Sequence, residues 1–273
     1  MAECNHDCAS CSESDCAQRT IEKLKPNENT TIKHCFAVIS GKGGVGKSLV
    51  TSLLACKMNQ KGHSVAIIDA DVTGPSIPQA FNIHGQTYAT EDQLIIPSRS
   101  KSGIQVMSLN LLLEDETKPV IWRGPVLADM IGQFWSDVYW QDVDYMFVDM
   151  PPGTGDVPLT VFQSLPVDGV VIVTSPQDLV SMIVGKAVTM VNEMHLPITG
   201  IVENMSYFKC PDCGHIHHIF GESHIEELAK KYDIDTVAKL PIDPEIAKLV
   251  DEGKIEALNH DELDGLSEKI LTL

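Results

Sequence analysis

Short apolar runs alternate with longer stretches of helical period along most of the chain. CFAVIS (35–40), SVAIIDAD (64–71), DYMFVDMP (144–151), GVVIVTSP (169–176), PITGIVENM (197–205) and TVAKLP (236–241) are short enough for strands and too continuously apolar to keep one face wet. Between them, SLVTSLLACKMNQKG (48–62), VLADMIGQFWSDVYW (126–140) and LVSMIVGKAVTMVNEMH (179–195) repeat apolar residues at helical spacing, and the first stops at a glycine. Strands buried on both faces and alternating with helices predict an α/β fold: a mostly parallel central sheet, helices on both faces, and ligands at the carboxyl ends of the strands. Residues 81–120 are less regular, and IIPS (95–98) against IQVMSL (104–109) predicts a short hairpin. Residues 1–30 show no such periodicity and end in the loop-like KPNENT. They read as a flexible arm ahead of one domain spanning 31–273.

Composition narrows the partners. Twenty Lys plus Arg against 38 Asp plus Glu give a formal charge of -18, which disfavours nucleic acid and anionic lipid surfaces. No apolar run reaches the ~20 residues that cross a bilayer, and MAECNHDCAS is too polar for a secretory signal, so a cytoplasmic location is expected with no membrane or nucleic-acid partner. In that compartment the eight cysteines are expected to be reduced, as ligands or buried thiols.

The strongest chemical signal is GKGGVGKS, residues 41–48. It fits G-x-x-x-x-G-K-[ST] between a strand and a helix, the context in which backbone N–H groups of Gly41, Gly43, Gly44, Val45 and Gly46 curl around phosphate oxygens. Lys47 is then expected at the β and γ phosphates of ATP and the Ser48 hydroxyl on Mg²⁺. The fold class becomes a three-layer P-loop NTPase. Magnesium also calls for a carboxylate on a neighbouring strand, and Asp149 ends DYMFVD. Gly153, in the following PPGTGD, is expected to sense the γ phosphate. Asp69 and Asp71 end another strand, where Asp71 can orient the attacking water and Asp69 support the metal shell.

Lys42, directly after the first glycine, narrows the family. K-G-G-x-G-K-[ST] resembles the deviant phosphate loop of the MinD/ParA, nitrogenase-iron-protein and arsenite-pump ATPases. That resemblance implies a homodimer with ATP between the chains and Lys42 reaching across to the other subunit's nucleotide, as an arginine finger does. IIDADVTGPSIP, WRGP, VDMPPGTGD, VENMSYFKCPDCG and PIDPEI, spread over residues 33–255, further resemble the Mrp/ApbC-type iron-sulfur cluster carrier ATPases. By this resemblance Asn204 reads the adenine edge and the loop from Pro241 to Asp243 flanks the base. It assigns no role to Trp122, Arg123, Gly124 and Pro125.

Cys210 and Cys213 enclose Pro-Asp and precede a glycine, a knuckle that points two thiolates at one ion. A two-fold dimer supplies four, which suits Zn²⁺ or a [4Fe-4S] cluster alike. His215, His217 and His218 offer a rival zinc site within one chain. The family resemblance implies a cluster bridging the dimer, carried in an ATP-dependent manner between cluster donor proteins and apo iron-sulfur proteins. The alternative is a zinc-stapled dimeric P-loop ATPase acting as a targeting, positioning or chaperone-like switch. Cys4, Cys8, Cys11 and Cys16 can enclose a further cluster in the arm, although carriers with four N-terminal cysteines have a longer first spacing. Cys35 and Cys56 read as small core residues.

Overall fold

The computed structural model describes residues 22–71, 76–90, 94–113, 124–176, 180–258 and 260–273. The arm cysteines Cys4, Cys8, Cys11 and Cys16, together with Trp122 and Arg123, lie outside these residues. The described strands are β1 (Ile32–Ser40), β2 (Val65–Asp69), β3 (Ser98–Arg99), β4 (Gln105–Ser108), β5 (Val143–Asp149), β6 (Gly169–Thr174), β7 (Ile198–Lys209), β8 (Ile216–His217) and β9 (Val237–Pro241). They run in the order β3-β4-β2-β5-β1-β6-β7, after which β7 pairs with β9 along its buried part and with β8 at its end. All pairings are parallel except β3 with β4 and β7 with β8.

The helices are α1 (Lys47–Gln60), α2 (Ile77–Ala80), α3 (Gly124–Ser136), α4 (Asp156–Ser164), α5 (Val180–Glu193), α6 (Ile225–Lys231), α7 (Pro244–Asp251) and α8 (Asp264–Leu271). Alternate residues of β1 serve different cores: Cys35, Ala37 and Ile39 join one, Phe36 and Val38 the other. The first core takes apolar residues of α3, α4, α5 and α6, and the second those of α1, α2 and α8. Each fully buried Val, Ile or Phe contributes about 1.5–3 kcal/mol relative to exposure, so a strand dressed on both faces belongs at the centre. The three-layer architecture expected from the sequence is the one observed.

Two local details differ from the sequence pattern. The expected hairpin forms with Ser98 opposite Val106 and Arg99 opposite Gln105, while Ile95 instead makes isolated bridges to Ala89 and Val138. Residues 22–30, read as the end of the arm, lie along the domain: Leu24 N donates to Ser164 O at 2.8 Å, Trp135 Nε1 donates to Leu24 O at 3.1 Å, and Asn27 Nδ2 donates to Ser136 O and Val138 O. Among the described residues no helix is long and apolar enough to cross a membrane.

Candidate functional site

The phosphate loop joins β1 to α1 and sits at the carboxyl end of the central strand. Gly44 and Gly46 have φ of 77° and 82°, in the left-handed region where a side chain is strained, so the two glycines let the loop close on itself. Gly41 is required by proximity instead. A Cβ there would lie 2.2 Å from Ile183 Cγ2 and 2.9 Å from the Ile183 carbonyl on α5. Val45 is buried beneath the loop, Gly43 is open to solvent, and Lys42 is half-buried.

Lys47 and Asp149 form a buried charge pair at 2.7 Å, with relative exposures of 5% and 0%. Asp149 gathers three donors, because Ser48 Oγ donates to the same Oδ2 at 2.5 Å and Thr51 Oγ1 donates to Oδ1 at 2.7 Å. Sequence reasoning misses Thr51, since a threonine one turn into a helix carries no signal of its own. Lys47 Nζ also lies 3.5 Å from Asp71 Oδ2. Ser48, Asp149 and Asp71 thus present oxygen donors around one lysine, the donor chemistry that magnesium prefers.

Asp69 stands one place along the sheet from Asp149, its register partner across β2 and β5. It accepts hydrogen bonds from Ser108 Oγ at 3.2 Å and from Asp71 N at 3.2 Å. Burial first, and then the neighbouring Asp149 charge, pushes the Asp69 carboxyl well above the usual carboxylate range. In this geometry Asp69 holds the backbone at Asp71. Gly153, at φ 97°, donates its N–H to the Ser40 carbonyl at 2.8 Å, which ties the loop after β5 to the end of β1.

A cleft of about 330 Å³ opens over these groups. Ser40, Lys47, Ser48, Asp71 and Pro152 line one part of it, and Ala80, Val250 and Ile255 close another. The part played by the C-terminal segment is not legible in the sequence. Ile255 is held there by Glu256, whose Oε1 accepts from Ser100 Oγ at 2.5 Å, from Ser102 N at 3.1 Å and from Ser102 Oγ.

Asn204, on β7, lies against the loop rather than in the cleft. Its Nδ2 donates to the Val45 carbonyl at 3.0 Å and its Oδ1 accepts from Met205 N at 2.9 Å. Pro241 ends β9 opposite Tyr207, and Asp243 caps α7 by accepting from Glu245 N at 2.8 Å.

The cysteine knuckle stands at the far end of β7. Cys210 N donates to His215 O and Gly214 N donates to Cys210 O, both at 2.9 Å. Hydrogen bonds from the backbone N–H groups of Cys213 and Asp212, and from the Cys213 thiol, hold the Cys210 thiol below its usual range. The turn therefore favours thiolate, the form that binds a metal. Among the described residues no group of three or more His, Cys, Asp and Glu side chains gathers to hold an ion. His215 meets His217 edge to face at 4.7 Å, and His218 Nε2 lies 3.9 Å from Glu222 Oε2. Cys35 and Cys56 are buried, as expected, and burial pushes both thiols far up.

Comparison with known proteins adds a family. A ParA model described as NUBPL iron-transfer P-loop NTPase matches residues 31–272. The chain is 41% identical to an iron-sulfur cluster carrier protein of Clostridium perfringens over 91% of this chain and 93% of that one. It is 40% identical to the mouse iron-sulfur cluster transfer protein NUBPL over 86% and 73%. Among solved structures, a nucleotide-binding protein of Archaeoglobus fulgidus in complex with ADP superimposes with a TM-score of 0.77 at 42% identity, covering 85% of this chain and 91% of that one. The cell division ATPase MinD of Pyrococcus furiosus, at 17% identity and a TM-score of 0.64 over 88% and 99%, shares the fold.

Proposed function

The chain belongs to the NUBPL iron-transfer P-loop NTPase family, and from that premise we propose that it is an ATP-dependent carrier that holds a [4Fe-4S] cluster between two copies of itself. The cargo passes from donor proteins to apo iron-sulfur proteins. The observation that carries the reading is the knuckle: two thiols, one of them biased toward thiolate, with no third ligand beside them among the described residues. A second copy of the chain would bring the thiolates to four.

In the nucleotide site, backbone N–H groups from Gly41 to Gly46 cradle the phosphates and the amino end of α1 adds partial positive charge. Lys47 exchanges its carboxylate partners for the β and γ phosphate oxygens. Ser48 and Asp149 would hold Mg²⁺, with Asp69 behind them, and the ion would supply charge neutralisation on the phosphates. Asp71 orients the attacking water, Gly153 follows the γ phosphate, and Lys42 stabilises phosphoryl charge on the partner's nucleotide. The Pro241–Asp243 loop flanks the base, and Asn204 backs the phosphate loop beside it through the Val45 carbonyl. Nucleotide can time cluster release only if it binds the closed and open dimer with different free energies.

Anaerobic reconstitution with iron and sulfide, followed by Mössbauer spectra and metal analysis, tests this reading. Wild type is expected to show a [4Fe-4S] signal, and Cys210→Ala/Cys213→Ala to lose about one cluster per dimer. Stoichiometric zinc in anaerobically isolated protein, with no reconstitutable cluster, would replace it with a zinc-stapled dimeric switch. Lys42→Ala is expected to suppress hydrolysis and keep the cluster, and Cys213→Ala the reverse. A single shared phenotype would remove the case for two separate sites.

A further inference from the structure

We infer that Asn204 is a positioning residue that ties the conformation of the phosphate loop to the placement of Cys210 and Cys213. Strand β7 begins in the core, paired with β6 up to Thr174 opposite Glu203 and with β9 up to Lys239 opposite Glu203. Pairing with β9 resumes only at Tyr207 opposite Pro241, so Asn204, Met205 and Ser206 face Leu240 alone. Such a bulge bends a strand and re-aims the residues beyond it.

Each residue of this bulge is fixed. Asn204 is 5% exposed and bonded to the Val45 carbonyl, and it occupies space that only a glycine at position 46 leaves open, since a Cβ there would lie 2.2 Å from its Nδ2. Met205 has φ 57°, a left-handed conformation that a methionine adopts only when its surroundings impose it. Ser206 Oγ donates to Glu203 Oε2 at 2.6 Å, both side chains being buried, and closes the bulge on itself. Ile242 N donates to Tyr207 O at 2.7 Å immediately beyond it.

From there the chain has no slack. Phe208 and Lys209 pair with His217 and Ile216 of β8, and Cys210 is clamped through His215 and Gly214. A hydrogen-bonded ribbon therefore runs from the residue that touches the loop to the first cysteine. When Val45 and Gly46 shift, either the amide contact breaks or the bulge moves, and the ribbon moves with it. The inference rests on the reading of Cys210 and Cys213 as the cargo-holding pair for its functional meaning, while the mechanical link is measured separately.

The test uses full-length, reduced, metal-free protein under anaerobic conditions. Iodoacetamide labelling rates of Cys210 and Cys213 are read by peptide mass spectrometry at saturating Mg-ADP and at a saturating non-hydrolysable Mg-ATP analogue. Wild type is expected to show rates differing by about five- to tenfold between the two states, the lower range of site-to-site coupling. Asn204→Ala and Ser206→Ala are each expected to bring the ratio close to one, at nucleotide concentrations that saturate each variant. Ser206→Ala leaves the Asn204 amide in place and decides the matter if the first variant does not fold. Equal rates in the two states of wild type would overturn the inference, and so would a full ratio retained in either folded variant. A normal thiol response alongside failed cluster reconstitution would support the link and remove the cluster reading instead.

Discussion

Thr51 shows how much a single hydroxyl carries. Its Oγ1 lies 3.0 Å from the Lys47 carbonyl and 2.7 Å from Asp149 Oδ1, with no solvent to replace it. Thr51→Val keeps the shape and leaves a buried carboxylate oxygen short of a donor, so a loss of about 1–3 kcal/mol is expected in urea unfolding of nucleotide-free protein. Asp69 makes the opposite contribution at neutral pH. Its raised carboxyl keeps a proton in the folded chain that the unfolded chain has released, so its contribution is fully present below about pH 4 and declines as pH rises toward the folded value. Asp69→Asn removes that decline, and the stability of the variant relative to wild type is expected to improve between about pH 5 and pH 8. Urea midpoints at the two pH values measure it. Among the cysteines, brief iodoacetamide labelling of native protein is expected to modify Cys210 and Cys213 while sparing Cys35 and Cys56, because both core thiols are buried and pushed up.

At the scale of elements, the nucleotide cleft depends on a segment far from its motif. Glu256 holds the short turn of helix at Ile255–Ala257 against Ser100 and Ser102, and Ile255 forms part of the cleft wall. Glu256→Ala is expected to weaken ADP binding by about three- to tenfold, read by calorimetry, while the phosphate loop itself stays intact. Such a dependence could not be read from sequence, since Glu256 sits among acidic residues that look like solvated surface. The strands were legible for the opposite reason. CFAVIS and GVVIVTSP are apolar on both faces and admit few other environments, whereas the hairpin at β3 and β4 is set by two residues on one side and fell three places later than its apolar residues suggested. The phosphate loop was legible because left-handed glycines leave a mark in sequence. The clamp by Glu203 and Ser206 left none, being two polar residues that acquire meaning only when a bulge brings them together.

For the whole molecule, charge sets the terms of association. Each chain carries a formal charge of -18, so two copies repel at long range whatever their contact surface contributes. Raising ionic strength from about 0.01 to about 0.1 M shortens the screening length from about 30 to about 10 Å. The proposed dimer is therefore expected to tighten over that interval at saturating nucleotide, which sedimentation velocity can follow. A dimer that weakened with salt would point to an interface held by complementary charges.

The knuckle has one more consequence, and it concerns inheritance. Residues 211–222 are all exposed, and none belongs to either hydrophobic core. Side chains there can change without disturbing either core, while the backbone stays fixed at Gly214 and along β8. A lineage can thus alter the proposed cargo site while keeping the phosphate loop, and the two properties are free to diverge at different rates.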